Sequence, residues 1–301
     1  MTLNAIERCD ALEAALMARV AEIYAGALRT AIKKRAAFLR KMEAVDEGRI
    51  KPPKYYVDTG QVQRWREGFV RELIRQENVI EGIMDELDKA GVKAADMIRS
   101  SMIDFYEINE ADAVRILTEK MMNAGLDGTM TRHTREQIEV ILQEEQSPFS
   151  KLAYQNMGQN PAIRRRLQNE LAQATILGES QEKLIKRIRS VTGQAIWQAR
   201  RVAQTERTRV QSQARWNAGN RAMALGVRVV NMWSARMVNT RDTHEALDGV
   251  VALQGEYFPN SPLRYPGDPT APAREVINCH CLLIPDVLKR GQMVIGGKVV
   301  G

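Results

Sequence analysis

Residues 194–233, QAIWQARRVAQTERTRVQSQARWNAGNRAMALGVRVVNMW, change character once, at Gly226. The part before it is built from Ala, Gln, Arg and Met, which lose little on entering a helix. It predicts one long helix over 194–225, ended by Gly226. The part after it, VRVVNMW, is rich in valine and predicts a strand over 227–233. The expected fold is therefore mainly α: a long helical body followed by a small C-terminal α+β module.

Upstream, the chain continues as helix. Over residues 3–47, Leu12, Leu16, Val20, Ile23, Ala27 and Ala31 recur at three- and four-residue steps and share one face. Pro52 and Pro53 break this helix. A second stretch, 61–89, draws its apolar face from Val62, Trp65, Phe69, Leu73, Ile80 and Met84, with Gly91 placed as a C-terminal cap. Further helices are expected over 93–106, 109–123 (capped by Asn109) and 131–145. Ser147-Pro148 and Asn160-Pro161 each set a capping side chain before a proline in the first helical position. Residues 180–191 alternate Leu184, Ile188 and Val191 with Lys183, Lys186 and Arg187. Three regions follow: 1–150, a helical N-terminal region; 151–225, a basic helical segment; and 226–301, the module.

The 301 residues are 44% hydrophobic and 27% charged, as in a folded protein with a real core. Aromatics are only 5%, too few for a large β-sandwich. No apolar run approaches the roughly 20 residues of a membrane span. The opening MTLNAIERCDALEAAL carries Glu7, Asp10 and Glu13 and does not read as a secretory signal. Three cysteines do not form a disulfide framework, and a reducing cytoplasm is expected.

Charge is uneven. Residues 161–225 hold 13 Lys and Arg against four Glu, a net +9 within an overall +7, so the remainder is near −2. Such an excess suits a polyanion or an acidic protein surface, and it equally suits a solvated arginine-rich helix. Arg164, Arg165, Arg166, Lys183, Lys186, Arg187, Arg200 and Arg201 are the candidate contacts. Only Trp197 and Trp216 interleave with the arginines, which argues against a base-stacking groove. His133, alone on a charged helix, reads as a solvated residue.

Residues of strong chemical potential gather downstream of Trp233. They run Asn239-Thr240-Arg241-Asp242-Thr243-His244, then Leu247-Asp248-Gly249, then Pro266-Gly267-Asp268-Pro269 and Asn278-Cys279-His280-Cys281. A short helical turn over 242–247, a strand over 250–258, an extended 278–284 and a hairpin about Gly296-Gly297 are expected around them. Asp242 stands where it could cap the turn, with Glu245 reaching back.

Trp233, the Asp-Thr-His element, the Leu-Asp-Gly turn, the Pro-Gly-Asp-Pro loop and the Asn-Cys-x-Cys end, in this order, resemble the phage Mu F-like head-morphogenesis (minor head, minor capsid) family. Here one residue separates Asp242 from His244, and His280 replaces the arginine usual between the cysteines. Ala203-Gln204-Thr205-Glu206 resembles the family's Ala-Arg-Thr-Glu, with Gln204 departing from it. The resemblance covers about residues 180–285. It implies a minor head protein in the virion head, assembled in the host cytoplasm. It also implies action in procapsid assembly, genome packaging or DNA delivery, with portal and capsid proteins as partners and double-stranded DNA as a further contact.

The chemistry of the cluster leaves two readings. His244, Cys279 and Cys281, completed by His280 or Asp242, have the donors of a zinc site. Asp242 is the weaker of these, because a capping carboxylate is committed to backbone N–H groups. The alternative is a pair of small buried thiols and a hydrogen-bonded core histidine, with no metal. Trp233, Asp248, Gly249, Pro266, Gly267, Asp268 and Asn278 read as structural: a core anchor, a turn and a rigid loop. No HExxH helix or Walker-type loop is present, so a metal-dependent hydrolase or nuclease acting through Asp242, His244, Cys279 and Cys281 is the second functional reading.

Overall fold

A computed structural model describes residues 2–55, 58–76, 79–126, 128–144, 148–158, 160–176, 181–237 and 240–301. Seven helices come first: α1 (Leu3–Asp46), α2 (Thr59–Gln76), α3 (Val79–Asn123), α4 (Arg135–Glu144), α5 (Pro148–Gly158), α6 (Pro161–Ile176) and α7 (Gln181–Ala224). The module follows as β1 (Val229–Ser234), α8 (Asp242–Glu245), β2 (Val251–Leu253), α9 (Ala273–Val276), β3 (Leu282–Val287), β4 (Met293–Ile295) and β5 (Lys298–Val300). The mainly α body and the small α+β end are both as expected. Gly226, at φ 85°, ends α7 in the left-handed region, where a residue with a Cβ is disfavoured.

Three expected breaks do not exist. Residues 79–89 of the expected 61–89 helix run on through 93–106 and 109–123 as one helix, α3. Gly91 is not a cap. It sits mid-helix because a Cβ there would lie 1.6 Å from the carbonyl oxygen of Met157 on α5. Asn109 is not an N-cap either. It is fully buried; its Nδ2 donates to the Phe105 carbonyl (2.8 Å) and to Cys9 Sγ (3.4 Å). Likewise 180–191 and 194–225 merge into α7. The Asn160 cap is real: its Oδ1 accepts from the N–H groups of Ala162 (3.0 Å) and Ile163 (3.1 Å), with Pro161 opening α6. Ser147, Asn239 and Ser180 lie outside the described residues, as do the side chains of Leu73, Ile80 and Leu184.

The chain divides into two compact units. One comprises Met1–Arg19, Ala95–Tyr154 and Gln198–Gly301; the other comprises Val20–Ala94 and Gln155–Trp197. In the second unit, Val20, Tyr24, Ala27, Ala31, Ile83, Leu87, Ile163, Leu167, Ile188 and Val191 are buried. Its helices are tied at their edges by Lys34 to Glu86 (2.8 Å) and Arg187 to Glu170 (2.5 Å).

In the first unit, the small residues Ala218 and Ala222 of α7 pack on Ala113, Leu117 and Met121 of α3, with Val227 and Val229 closing the layer. The sheet has the order β2–β1–β3, all antiparallel, with Asn231 of β1 opposite Ala252 and Pro285. Pro285 lacks an N–H and is accommodated because β3 is an edge strand. The hairpin β4–β5 turns at Gly296-Gly297 as expected, and the Val251 N–H donates to the Gly297 carbonyl (2.8 Å).

Charged groups of α7 are also internal to this unit. Arg215, 1% exposed, donates to Asp112 (2.6 Å) and Asn109 (3.1 Å). Arg207 pairs with Asp10 and Glu13, and Arg209 with Glu206. Arg221 donates to Glu110 (2.6 Å), which also meets His133 Nδ1 at 2.5 Å. His133 is thus a partner in a half-buried ion-pair group, not a solvated residue. Among the described residues, six of the 13 basic residues counted on 161–225 meet carboxylates, these four together with Arg164 on Asp88 and Arg187 on Glu170, which the charge sum could not reveal.

Candidate functional site

The module's core is apolar: Trp233 is fully buried among Phe258, Leu263, Tyr265, Leu283, Cys279 and Cys281. The rings of Trp233 and Phe258 meet edge-on at 5.2 Å, and those of Trp216 and Tyr265 at 5.1 Å. The Asp248 carboxylate accepts from the Ala235 N–H (2.8 Å), while Gly249, at φ 74°, donates its N–H to the Trp233 carbonyl (2.9 Å). Trp233 and Leu247-Asp248-Gly249 are therefore one locked corner.

The Pro266–Pro269 loop is held with equal force. Gly267 has φ 78°, and a Cβ on it would lie 2.8 Å from Arg209 Cα, so glycine alone lets the loop lie on α7. Asp268 is completely buried and accepts from Arg264 Nε (2.9 Å), Arg264 Nη2 (3.1 Å), the Thr270 N–H (3.0 Å) and Thr270 Oγ1 (2.7 Å). Burial alone would raise its pKa. The hydrogen bonds from Arg264 and Thr270 outweigh burial and hold it below the ordinary carboxylate value.

The stretch Asn278-Cys279-His280-Cys281 is clamped from α7. The Asn278 N–H donates to Thr205 Oγ1 (2.9 Å), and the Cys279 carbonyl accepts from Gln204 Nε2 (3.0 Å) and Thr208 Oγ1. Asn278 itself takes φ 56°, a conformation its short amide side chain tolerates. The Ala203–Glu206 motif thus has a physical job: Gln204 and Thr205 hold the backbone that carries the cysteines.

Held this way, three side chains converge. His244, the third residue of α8, places Nδ1 3.5 Å from Cys279 Sγ and 3.5 Å from Cys281 Sγ. One ligand atom from each of the three lies within 4.8 Å of the others, and all three residues are buried. The Cys281 N–H donates to Cys279 Sγ (3.4 Å). On the far side of the imidazole, Nε2 lies 3.3 Å from Glu275 Oε2, close enough for an ion pair but out of line for a hydrogen bond. Glu275 sits on α9 and accepts from Thr243 Oγ1 (3.1 Å).

The two thiols differ. A hydrogen bond from Cys279, followed by interactions with His244 and Trp233, outweighs burial and takes Cys281 down to about 5; the same pairing and burial push Cys279 up. The cluster is a pair of buried sulfurs facing one imidazole.

Of the expected donors, His280 and Asp242 do not join this group. Burial and then the guanidiniums of Arg207 and Arg236 lower the pKa of the half-buried His280 ring. Asp242 is exposed and caps nothing: the N-cap position of α8 is Arg241, with no side-chain cap. Glu275, Thr208 and Arg241, whose guanidinium donates to the Ile277 carbonyl, are functional neighbours that no motif marked. Glu275 lies four residues before Cys279, but nothing in the sequence around it indicates that α9 turns it toward His244.

The basic residues fall into both units. In the second unit Arg165, Arg166, Lys183 and Lys186 are exposed, while Arg164 and Arg187 are half-buried against Asp88 and Glu170. Arg166 donates to Gln194 (2.7 Å) and Ser190 (3.1 Å). In the first unit Arg200 is exposed and Arg201 half-buried.

A helix laid against a three-stranded antiparallel sheet, with a His-Cys-Cys cluster clamped between sheet and helix, defines the class: a helical chain that ends in a compact, polar-stapled α+β module. Residues 165–284, from α6 to β3, match the family described as phage Mu protein F like protein. Over that stretch the chain is similar to the phage Mu F-like family, and residues 1–164 lie outside the match. No curated protein and no solved structure matches it. No helix among the described residues is long and apolar enough to cross a membrane.

Proposed function

We propose that the protein is a minor head component that acts during procapsid assembly and genome packaging, through contacts with portal and capsid subunits in the host cytoplasm, and that it stays with the virion head. The observation that carries this reading is the coincidence of the family-matched span with the most basic part of the chain. Residues 165–284 contain Arg165, Arg166, Lys183, Lys186 and Arg200, all exposed. Exposed cations suit an acidic partner surface or the phosphates of packaged DNA.

The test is co-expression with portal and capsid proteins of the same phage. Recovery of the chain in procapsids and in a portal pull-down is the expected result; its absence from both overturns the proposal. Direct DNA contact predicts retention that falls steeply with salt, about a thousandfold or more between 50 and 200 mM for six phosphate contacts. DNA retention that is absent at low salt removes the DNA part alone. A hydrolase or nuclease reading draws no support from the geometry, since His244, Cys279 and Cys281 are 1–2% exposed and a polymeric substrate has no path to them.

A further inference from the structure

We infer that His244, Cys279 and Cys281 bind one zinc ion as a structural staple, with Glu275 flanking the histidine from behind.

The first argument is metric. A tetrahedral zinc with Zn–S near 2.3 Å and Zn–N near 2.0–2.1 Å separates its nitrogen and sulfur ligands by about 3.6 Å. His244 Nδ1 lies 3.5 Å from each of the two sulfurs. A neutral imidazole nitrogen has one lone pair and accepts one S–H. Two sulfurs equidistant from one nitrogen are explained by a cation shared among all three.

The second argument is charge. Two thiolates and Zn²⁺ sum to zero beside a neutral imidazole, so the buried group carries no net charge and avoids the large desolvation cost of an isolated ion. Binding sends the thiol protons to solvent. Two sulfurs and one nitrogen are soft-to-borderline donors that favour zinc over magnesium or calcium.

The third argument is the surroundings. A metal-bound histidine commonly gives its other ring N–H to a carboxylate, which fixes the tautomer. Glu275 Oε2 stands 3.3 Å from Nε2 and is itself held by Thr243, so a carboxylate flanks the far nitrogen while Nδ1 faces the two sulfurs. The Trp233 ring meets that of His244 edge-on at 5.0 Å and closes the apolar wall of the cluster.

The consequence is mechanical. The ion ties α8 to the chain 35 and 37 residues later, at the entry to β3, and so closes the loop that holds Asp268 and α9. This holds whether or not the head-assembly reading does.

Metal analysis of the full chain, purified without chelator, tests it: about one zinc per chain is expected. Chelator treatment should lower the unfolding temperature, and Co²⁺ added to the stripped protein should give the charge-transfer absorption of cobalt–thiolate bonds. Cys279→Ser and Cys281→Ser should abolish uptake, Glu275→Gln should weaken it about 10- to 100-fold, and His280→Ala should leave it intact. Should the cysteine variants fail to fold, the cobalt spectrum of the native chain decides. A stripped chain that takes up neither Zn²⁺ nor Co²⁺ overturns the inference, as does loss of uptake in His280→Ala.

Discussion

The two halves of α7 use the same residue in opposite ways. In the first half, Arg189 and Arg200 reach solvent, with Lys183 and Lys186 beside them. In the second, Arg207, Arg209 and Arg215 are buried and each meets a carboxylate: Asp10 and Glu13, Glu206, and Asp112. A guanidinium can be buried only where a carboxylate and further acceptors meet its N–H groups. Charge that sums to +9 along the sequence is therefore two populations. One holds the first unit together, and the other lies at the surface.

Breaking the buried population should have the largest effect. Arg215→Ala strands Asp112 and Asn109 in the core and should cost about 3–5 kcal/mol in urea unfolding. Arg215→Met with Asp112→Leu should recover much of that loss, because it removes both charges together. No loss in the single variant would show that the pair contributes nothing.

The contact between loop and helix comes next. Gly267→Ala forces a Cβ to 2.8 Å from Arg209 Cα at a positive φ, and should cost about 2–4 kcal/mol by thermal unfolding. A neutral result would mean that the loop shifts off α7 without penalty.

A third prediction concerns acid. Asp268 and Asp112 are both held below their ordinary 3.8: burial raises each, and it is outweighed at Asp268 by Arg264 and Thr270 and at Asp112 by Thr2 and Arg215. A lowered folded-state value means that the stabilisation is fully present above 3.8 and is lost as pH falls through the folded value. Stability should decline below about pH 4, and Asp268→Asn, costing about 1–3 kcal/mol at neutral pH, should flatten that decline. An unchanged acid limb in the variant would assign the decline to other groups.

The exposed population should give the smallest change in stability. Arg165→Ala with Lys186→Ala should stay within about 0.5 kcal/mol of the parent. The same pair should reduce the salt slope of DNA retention by about 2. A parental slope would place the DNA contact elsewhere or nowhere.

Much of this was legible in sequence because its causes are local. The switch at Gly226, the Asn160-Pro161 start of α6, the Asp248-Gly249 turn and the Gly296-Gly297 hairpin each depend on the conformational limits of a few adjacent residues. Local signals also misled. Gly91 and Asn109 are residues that punctuate helices, and each was instead required by a long-range contact: Gly91 by the backbone of α5, Asn109 by Cys9 and Arg215. Asp242 had the spacing of a cap but stands one residue inside its helix.

By itself the sequence determined the helical body, the α+β end and the resemblance over residues 165–284, because periodicity, turn chemistry and motif order are written along the chain. Only the tertiary structure decided which arginines are internal, that His280 stands apart from the donors, and that Glu275 stands behind His244. Those outcomes depend on which groups share a buried, low-dielectric neighbourhood, and that is set by the packing of α3, α7 and the sheet.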